Sequence, residues 1–247
     1  MSRQDTLFSR VLRERPKFHR GETEVRGSPA ASDMALLRAD EREKIGSGAA
    51  FAMGIDDEIA RFIYSSVDAD SVTLETGAGI STLVFALRGT RHFAVTPNAD
   101  ESVAIRDYAA STGIELSRVS FVNEPSEAAL PAIATPALDL VLIDGKHAFP
   151  WPILDWFFTA ERLKKGGIVI LDDTPLWAVR ILADFLAADA RNWAPTTHSR
   201  KAQAFRKLVD SAHNVAWYMQ PHADTLRLRL LRSVPPFLLQ AAKRLRG

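Results

Sequence analysis

The sequence predicts an α/β fold, a doubly wound and mostly parallel seven-stranded sheet that is closed by an antiparallel hairpin. Strand-like and helix-like segments alternate from residue 54 onward, which is typical of a parallel sheet covered by helices on both faces. Two strand segments, LVLI (140–143) and IVIL (168–171), are continuous apolar runs, as expected for strands buried on both sides. Two adjacent segments, APTTHSR and KAQAFRKLV (194–209), predict the closing hairpin.

Hydrophobic periodicity and stop signals define the individual elements. Gly89 and Gly113 follow helical segments as stop signals, and Pro152 lies in the first turn of a later helix whose last turn holds Lys164 and Lys165. In order, we predict helix 54–67, strand 71–75, helix 81–89, strand 91–95, helix 100–113, strand 118–123, short helix 126–132, strand 137–144, helix 151–167, strand 167–173, helix 176–192 and the hairpin.

Length and composition favour one large domain with an addition at each end. The chain has 247 residues, of which 47% are hydrophobic and 25% charged, an ordinary balance for a globular protein. We expect a partly irregular N-terminal arm at residues 1–50, the main domain at 51–210 and a basic amphipathic extension at 211–247.

The composition also excludes several classes of function. Because the chain has no cysteine, it has no disulfides, thiolate metal ligands or cysteine nucleophile. A net charge of +1 argues against specific nucleic-acid binding, which usually needs a strongly basic face. The N-terminal segment is charged and lacks the apolar region of a signal peptide, and no apolar run approaches the roughly 18 residues of a membrane span. The sequence therefore predicts a cytoplasmic protein.

The C-terminal segment has a distinct charge pattern. Residues 221–247 carry six Lys or Arg side chains and one Asp, with Leu, Val and Phe interleaved. Such a segment makes weak contact with an anionic membrane surface or forms a solvated amphipathic helix on its own domain, and the second interpretation is favoured because such stretches are common. The sequence leaves a homodimer open.

The segment LETGAGIST (74–82) carries the first functional motif. A predicted strand ends in Glu75, and Gly77 and Gly79 precede a helix, so the backbone can turn tightly and a ligand can approach free N–H groups. The motif is not the dinucleotide-binding fingerprint G-x-G-x-x-G, because Thr82 occupies the place of the third glycine. That fingerprint also has a ribose-binding acid at the end of the next strand, where this chain has Thr96.

This E-x-G-x-G pattern resembles motif I of the class I S-adenosylmethionine-dependent methyltransferases, and the resemblance covers roughly residues 50–210. FAVTPNADE (93–101) is similar to the second strand of that family, and the stretch from LDLVLIDGKH to ILDDT (138–174) to its fourth and fifth strands. The I-D-G-x-H motif looks most like a bacterial small-molecule branch, and is also similar to metal-dependent O-methyltransferases of the catechol and macrolide-sugar type. The resemblance implies a single Rossmann-like methyltransferase domain.

The resemblance also implies a set of residues that bind S-adenosylmethionine. The chain departs from the family at two places, with Thr96 in place of an acid after the second strand and Pro125 where an Asp is frequent after the third. The implied cofactor-binding residues are Glu75, Gly77, Ala78, Gly79, Ser81, Thr82, Thr96, Ser126, Asp144 and Gly145.

Acidic residues end three strands that are neighbours if the strand order is 1-4-5. Because converging carboxylates are costly without a positive partner, we expect either the cofactor's charged groups or a divalent cation such as Mg²⁺, Mn²⁺ or Ca²⁺ beside them. The metal-dependent relatives imply Asp144, Asp172 and Asp173 as ligands. The alternative for Asp172 and Asp173 is capping of the following turn.

His147 follows Asp144 by three residues, and the resemblance places a catalytic base at this offset. Histidine titrates near neutrality and can take a hydroxyl proton, so His147 and Asp144 are the candidate catalytic residues. Alternatively, His147 fixes its loop through a backbone carbonyl, and Lys146 is the second candidate base. Phe149, Trp151 and Trp177 are expected near the same strand ends, where they wall an acceptor pocket or pack in the core.

Together these features predict a methyltransferase that acts on a small molecule, through O-methylation of a hydroxyl with a divalent metal. The alternatives are a metal-independent N- or O-methyltransferase that uses His147, a nicotinamide-binding or other nucleotide-binding enzyme of the same fold, and a non-catalytic nucleotide-binding scaffold. Sensitivity of the activity to EDTA separates the first two.

Overall fold

The computed structural model describes residues 2–18, 54–213 and 220–221. Its helices are α1 (Arg3–Glu14), α2 (Asp57–Ser66), α3 (Ile80–Leu87), α4 (Ala99–Thr112), α5 (Ser126–Ala132), α6 (Trp151–Ala160) and α7 (Trp177–Ala188). Its strands are β1 (Val72–Thr76), β2 (Arg91–Val95), β3 (Val119–Val122), β4 (Leu138–Ile143), β5 (Leu163–Leu171), β6 (Trp193–His198) and β7 (Gln203–Lys207). The chain divides into two compact units, one ending at Ala132 and one beginning at Ile133.

The described residues contribute seven strands to one sheet, in the order β3-β2-β1-β4-β5-β7-β6. β1 pairs in parallel with β2, β2 with β3 and β4 with β5, whereas β7 is antiparallel to both β5 and β6. Parallel neighbours need a crossover, and here helices supply it, as α3 does between β1 and β2. The predicted fold class and the closing hairpin are confirmed. The order 1-4-5, on which the expected convergence of the acidic residues depended, is the one observed.

The core of the first unit contains α3, in which all eight residues are buried. A helix that is apolar or buried on every side belongs to the interior rather than to a surface face. Gly89 and Gly113 follow α3 and α4 with φ angles of 67° and 74°, in the left-handed region that favours glycine. Both predicted stop signals are therefore confirmed.

Helix α1 lies inside the predicted irregular arm and was not predicted from the sequence. Ser2 and Asp5 form a reciprocal capping box that starts the helix. The helix buries Phe8, and the Phe8 ring stacks on Tyr64 of α2 with centroids 4.1 Å apart. The Tyr64 hydroxyl donates to Asp5 at 3.0 Å. These contacts attach the start of the arm to the first unit.

No helix among the described residues is long and apolar enough to cross a membrane. The remainder of the predicted arm, residues 19–50, lies outside the described residues, as do residues 214–219 and 222–247 of the predicted basic extension. Contact of that extension with a membrane surface and a homodimeric assembly stay predictions.

The predicted helix 151–167 is wrong beyond Ala160, because β5 begins at Leu163 and includes Lys164 and Lys165. Leu163 is buried and pairs with Leu138 of β4, and the Lys164 ammonium donates to Asp139 at 2.7 Å. Gly167 allows this path, since a Cβ there would lie 2.8 Å from a methyl carbon of Leu163. The pairing of β5 with β4 and the close packing at Gly167 therefore favour a strand where the sequence pattern predicted that the helix would continue.

Lys207 fixes the end of α6 and the start of β5. Its side chain is fully buried, and its ammonium donates to the carbonyl oxygens of Ala160 at 2.7 Å and of Leu163 at 2.8 Å. Burial lowers the pKa of Lys207 below its ordinary value. The last carbonyls of a helix lack partners within the helix, and here a cation from β7 satisfies one of them.

We predict that Lys207→Met lowers the free energy of unfolding by about 3 kcal/mol, because two buried carbonyls lose a charged donor. Urea denaturation measures the change. Lys165→Met, at an exposed position of β5, is the matched control and should change the stability by less than about 0.5 kcal/mol. Equal effects of the two substitutions would contradict the role assigned to Lys207.

Candidate active site

The two glycines after β1 have different roles. Gly77 has a φ of 85°, in the left-handed region, and its N–H donates to Val95 of β2 at 2.8 Å. Gly79 has an extended φ of −179°, which any residue can adopt. A Cβ built on Gly79 would meet no other described atom within 4 Å. The turn therefore needs glycine at position 77, whereas glycine at position 79 leaves room for a ligand against the backbone.

Glu75 fixes the glycine loop through a buried hydrogen-bond network. The side chain is fully buried, and its Oε1 accepts a hydrogen bond from the Thr82 hydroxyl. The Thr82 hydroxyl oxygen in turn accepts from the Gly79 N–H at 3.0 Å. Thr82 thus connects the strand end to the loop at the position where a dinucleotide fingerprint would have its third glycine.

His92 is a second partner of Glu75 and was not among the residues predicted from the sequence. Its Nε2 lies 3.1 Å from Glu75 Oε1, its Nδ1 lies 2.8 Å from the Thr73 hydroxyl, and its ring stacks on Phe85. The side chain is fully buried. A carboxylate oxygen only accepts, so Nε2 is the donor in this pair. A histidine inside an apolar strand segment was the available signal.

The loop retains one unused acceptor. Glu75 Oε2 is buried and has no hydrogen-bond partner among the described residues. Buried polar atoms normally have a hydrogen-bond partner. The hydroxyl and amino groups of S-adenosylmethionine can donate such a bond to this oxygen. Together with the space at Gly79 and the free N–H groups at the start of α3, this oxygen fits the predicted cofactor.

The end of β2 has a carboxylate after all, supplied by Glu101 of α4. The Thr96 hydroxyl donates to Glu101 Oε2 at 2.7 Å, and the Asn98 amide donates to Oε1 at 3.2 Å. Thr96 stands in place of the family's acid, and Glu101 was not predicted from the sequence. An acid in the first turn of a helix is common for dipole reasons, so its sequence position alone carried no functional signal.

The remaining cofactor candidates of the first unit lie around these groups. Ala78 and Ser81 are buried in the loop and in the first turn of α3, and Ser126 is buried at the start of α5, which follows β3. The cofactor role of these three residues stays a prediction.

In the second unit, Asp144 follows β4, and Asp173 lies two residues after the end of β5; both approach His147. The His147 Nε2 atom lies 3.6 Å from Asp144 Oδ1 and 3.6 Å from Asp173 Oδ2. These separations exceed hydrogen-bond lengths, so the attraction is electrostatic. Burial opposes the charged imidazole, but Asp144, Asp173 and Asp172 outweigh it and raise the pKa of His147. Gly145 is half-buried beside this group.

Asp173 adopts a backbone conformation that is uncommon outside glycine. Its φ is 54°, in the left-handed region, which Asp tolerates better than most residues. Its carbonyl accepts from the Leu176 N–H at 2.9 Å, closing the turn before α7. This bond is made by the backbone, and no side chain caps the start of α7. The alternative of capping by the Asp172 or Asp173 side chain is therefore wrong, and the Asp173 carboxylate instead contacts Lys201 and approaches His147.

Lys201, in the loop between β6 and β7, supplies a positive charge that was not predicted from the sequence. Its ammonium donates to Asp172 Oδ2 at 2.7 Å and to Asp173 Oδ1 at 3.3 Å. Asp172 is fully buried, and burial followed by the charge of Asp144 raises its pKa to about 8 despite Lys201. Burial disfavours the Lys201 ammonium, but Asp172 and Asp173 outweigh it and raise its pKa.

The residues that can hold a metal differ from the predicted set by one member. Ligand atoms of Asp144, His147 and Asp173 all lie within 4.8 Å of one another. Asp172, predicted as a ligand, instead directs Oδ2 to Lys201, while its Oδ1 is buried without a partner. Two carboxylates and one imidazole form a donor set that fits a divalent cation such as Mn²⁺.

Two of the predicted acceptor-wall residues lie together. Phe149 and Trp177 are 55% and 67% exposed, large fractions for such side chains, and their ring centroids are 5.7 Å apart. Trp151 instead lies under Lys146, whose ammonium is 3.5 Å from the ring centroid. Phe149 lies two residues after His147, so the exposed aromatic pair is suited to pack against an apolar part of a ligand.

Comparisons with known proteins agree with this architecture. Residues 74–174 match the model of a family described as a methyltransferase domain. No curated protein sequence matches the chain significantly.

Solved structures share the fold at low identity. The O-methyltransferase TomG from Streptomyces achromogenes, solved with S-adenosylmethionine, is 14% identical with a TM-score of 0.52 over 85% of this chain and 100% of that one. An O-methyltransferase from Bacillus cereus is 15% identical, with a TM-score of 0.51 over 72% and 95%. A protein provisionally named as an rRNA methylase, from Clostridium thermocellum, is 16% identical, with a TM-score of 0.52 over 62% and 96%.

We predict that His92→Leu weakens binding of S-adenosylhomocysteine at least tenfold (about 1.4 kcal/mol), because Glu75 Oε1 loses one of its two donors. His92→Gln, which keeps a donor, should restore most of the affinity. Calorimetric titration measures binding, and thermal unfolding reports stability separately. Thr90→Val removes a hydrogen bond to Thr73 in the same network and should leave the affinity near that of the wild type. Equal loss in the Leu and Val variants would show a purely structural role.

We predict that Lys201→Met destabilises the protein more at pH 9 than at pH 6. The pKa of Asp172 is higher in the folded chain, about 8, than the ordinary 3.8, so its ionisation costs stability as pH rises between these values. Without Lys201 the pKa of Asp172 rises further, and this loss extends above pH 8. We expect Lys201→Met to lower the free energy of unfolding by about 3 kcal/mol at pH 9. Thermal unfolding of both proteins across pH tests this, and a pH-independent difference would refute it.

Proposed function

We propose that the chain is a class I S-adenosylmethionine-dependent methyltransferase that methylates a hydroxyl oxygen of a small-molecule acceptor; the match of residues 74–174 to a methyltransferase-domain model and the strand order support the first part. The observation that carries the proposal is His147, whose buried Nε2 has no hydrogen-bond partner among the described residues and lies 3.6 Å from two carboxylates. A histidine with one free nitrogen beside acids, at the carboxyl ends of parallel strands, is suited to take a proton from a hydroxyl.

The first unit holds the cofactor in this proposal. S-adenosylmethionine supplies a methyl group made reactive by the sulfonium, so no covalent enzyme intermediate is needed. Gly79 leaves space for the cofactor beside the backbone, Glu75 Oε2 accepts from one of its donors, and Glu101 offers a carboxylate at the end of β2. Thr82 and Thr96 act through these acids, because their hydroxyls are bonded to Glu75 and Glu101.

The second unit handles the acceptor. His147 takes the hydroxyl proton at Nε2, and the charges of Asp144 and Asp173 stabilise the imidazolium that forms. Lys201 neutralises part of the charge on Asp172 and Asp173, so the cluster has a positive partner from its own chain. This balance supports His147 as the base without a further cation.

A divalent cation is the second candidate, and the observation that supports it is that ligand atoms of three residues lie within 4.8 Å of one another. Asp144, His147 and Asp173 would hold the ion, which would lower the pKa of the acceptor hydroxyl. His147 Nε2 cannot both bind a metal and take a proton, so the two mechanisms exclude each other.

The acceptor is proposed to be a small molecule rather than a nucleic acid. The exposed Phe149–Trp177 pair provides an aromatic surface against which an apolar ring can pack. An RNA acceptor, as the name of the Clostridium thermocellum protein suggests for that protein, fits less well with a net charge of +1.

Methyl transfer from labelled S-adenosylmethionine to a panel of catechols, phenols and sugars, with and without EDTA, tests the proposal. Activity that survives EDTA supports His147 as the base. Activity that EDTA removes and Mn²⁺ or Mg²⁺ restores supports the cation. S-adenosylhomocysteine binding without transfer to any acceptor would favour a non-catalytic scaffold.

We predict that His147→Gln lowers kcat about 10²- to 10⁴-fold and leaves the affinity for S-adenosylhomocysteine unchanged. In the wild type, kcat should rise with pH through a pKa above the ordinary 6.5 of histidine, because the neutral imidazole is the base. Asp173→Asn removes a charge that raises this pKa and should move the rise to lower pH. Lys146→Met is the control, and a loss equal to that of His147→Gln would transfer the role to Lys146.

A further inference from the structure

We propose that the methyl acceptor carries an anionic group, a carboxylate or a phosphate, which binds to Arg180 and Arg200. This inference rests on the proposed function and adds the chemical class of the substrate. The second unit contains a cavity that has no role in the mechanism proposed above.

The cavity has a volume of about 180 Å³ and lies at the carboxyl end of β5. Thr174, just after the acids, forms one wall, and Gln203, which pairs with Leu171 in the sheet, forms another. Arg180 of α7 and Arg200 of the β6–β7 loop also line it. A space of this size accommodates a carboxylate or phosphate group and part of the molecule that carries it.

Direct contacts connect the cavity to the catalytic cluster. The backbone N–H and the hydroxyl of Thr174 both donate to the carbonyl of Lys201, at 2.7 Å and 3.0 Å. Lys201 binds Asp173, and Asp173 approaches His147. Lys201, next to Arg200 in the chain, and Asp173, next to Thr174, therefore belong to the cluster that handles the acceptor hydroxyl. Arg200 and Thr174 themselves line the cavity.

The charges of the lining residues favour an anion. Within the described part of the chain, neither the Arg180 nor the Arg200 guanidinium has a hydrogen bond or ion pair, although Asp184 also lines the cavity. The formal charge of the lining residues is thus +1, and the neighbouring Lys201 ammonium is already bonded to Asp172 and Asp173. A guanidinium offers several donors in a planar fork that matches a carboxylate or phosphate.

The position of Arg180 also relates the anionic group to the rest of the acceptor. Trp177 and Arg180 are three residues apart on α7, so they are neighbours on the helix surface. Trp177 forms the exposed aromatic pair with Phe149. An acceptor with an apolar ring beside this pair can therefore direct an acidic substituent to Arg180.

Binding of simple anions to the full chain, saturated with S-adenosylhomocysteine, tests the inference without turnover. We would titrate sodium benzoate, its neutral analogue benzamide and inorganic phosphate at constant ionic strength, with calorimetry as the readout. Benzoate, phosphate or both should bind saturably, and benzamide at least tenfold more weakly than benzoate where benzoate binds. The anion that binds identifies the group as a carboxylate or a phosphate.

Three variants decide whether the arginines are responsible. The double variant Arg180→Met, Arg200→Met should weaken anion binding at least tenfold, and Asp184→Asn should strengthen it. The control Arg118→Met, Lys165→Met removes the same charge at exposed positions outside the cavity and should bind as the wild type does. Absence of saturable anion binding, or equal binding by both double variants, would overturn the inference. Failure to bind S-adenosylhomocysteine would instead count against the proposed function.

Discussion

A carboxylate buried at the end of the first strand constrains the functional part of the first unit. Glu75 is fully buried, and removing such a charge from water costs several kcal/mol unless donors surround it. Thr82 of α3 and His92 of β2 supply these donors. Because Thr82 also accepts from the Gly79 N–H, satisfying the carboxylate fixes the loop between them. The shape of the loop therefore depends on one acid and its partners as much as on its glycines.

The second unit meets the same electrostatic demand with cations. Asp172 is fully buried, and Lys201 reaches it from the hairpin loop, while His147 lies between Asp144 and Asp173. The raised pKa of Asp172, about 8, shows that this compensation is incomplete. Incomplete compensation keeps the cluster attractive to positive charge, whether that charge is an imidazolium or a divalent cation.

The closing hairpin is therefore part of the candidate active site as well as of the sheet. The register of β7 on β5 pairs Gln203 with Leu171, which brings Lys201 beside the acids that follow β5. At the other end of β7, Lys207 binds the carbonyls of Ala160 and Leu163 and fixes where β5 begins. One antiparallel strand thus positions two lysines, one with a candidate catalytic role and one that stabilises the fold.

The sequence by itself determined the alternation of elements and the motif residues Glu75, Gly77 and His147, because periodicity, turn chemistry and motif spacing are local properties. The strand order, by contrast, depends on which strands pair in space. The sequence did not reveal Glu101, Lys201 or the start of β5 at Leu163. Each of these depends on a partner that only folding brings near, as Lys201 depends on Asp172, 29 residues away. Charge pairing, hydrogen bonding and close packing depend on distances in space. For that reason the tertiary structure alone decided which polar groups compensate one another, and so which residues complete the site.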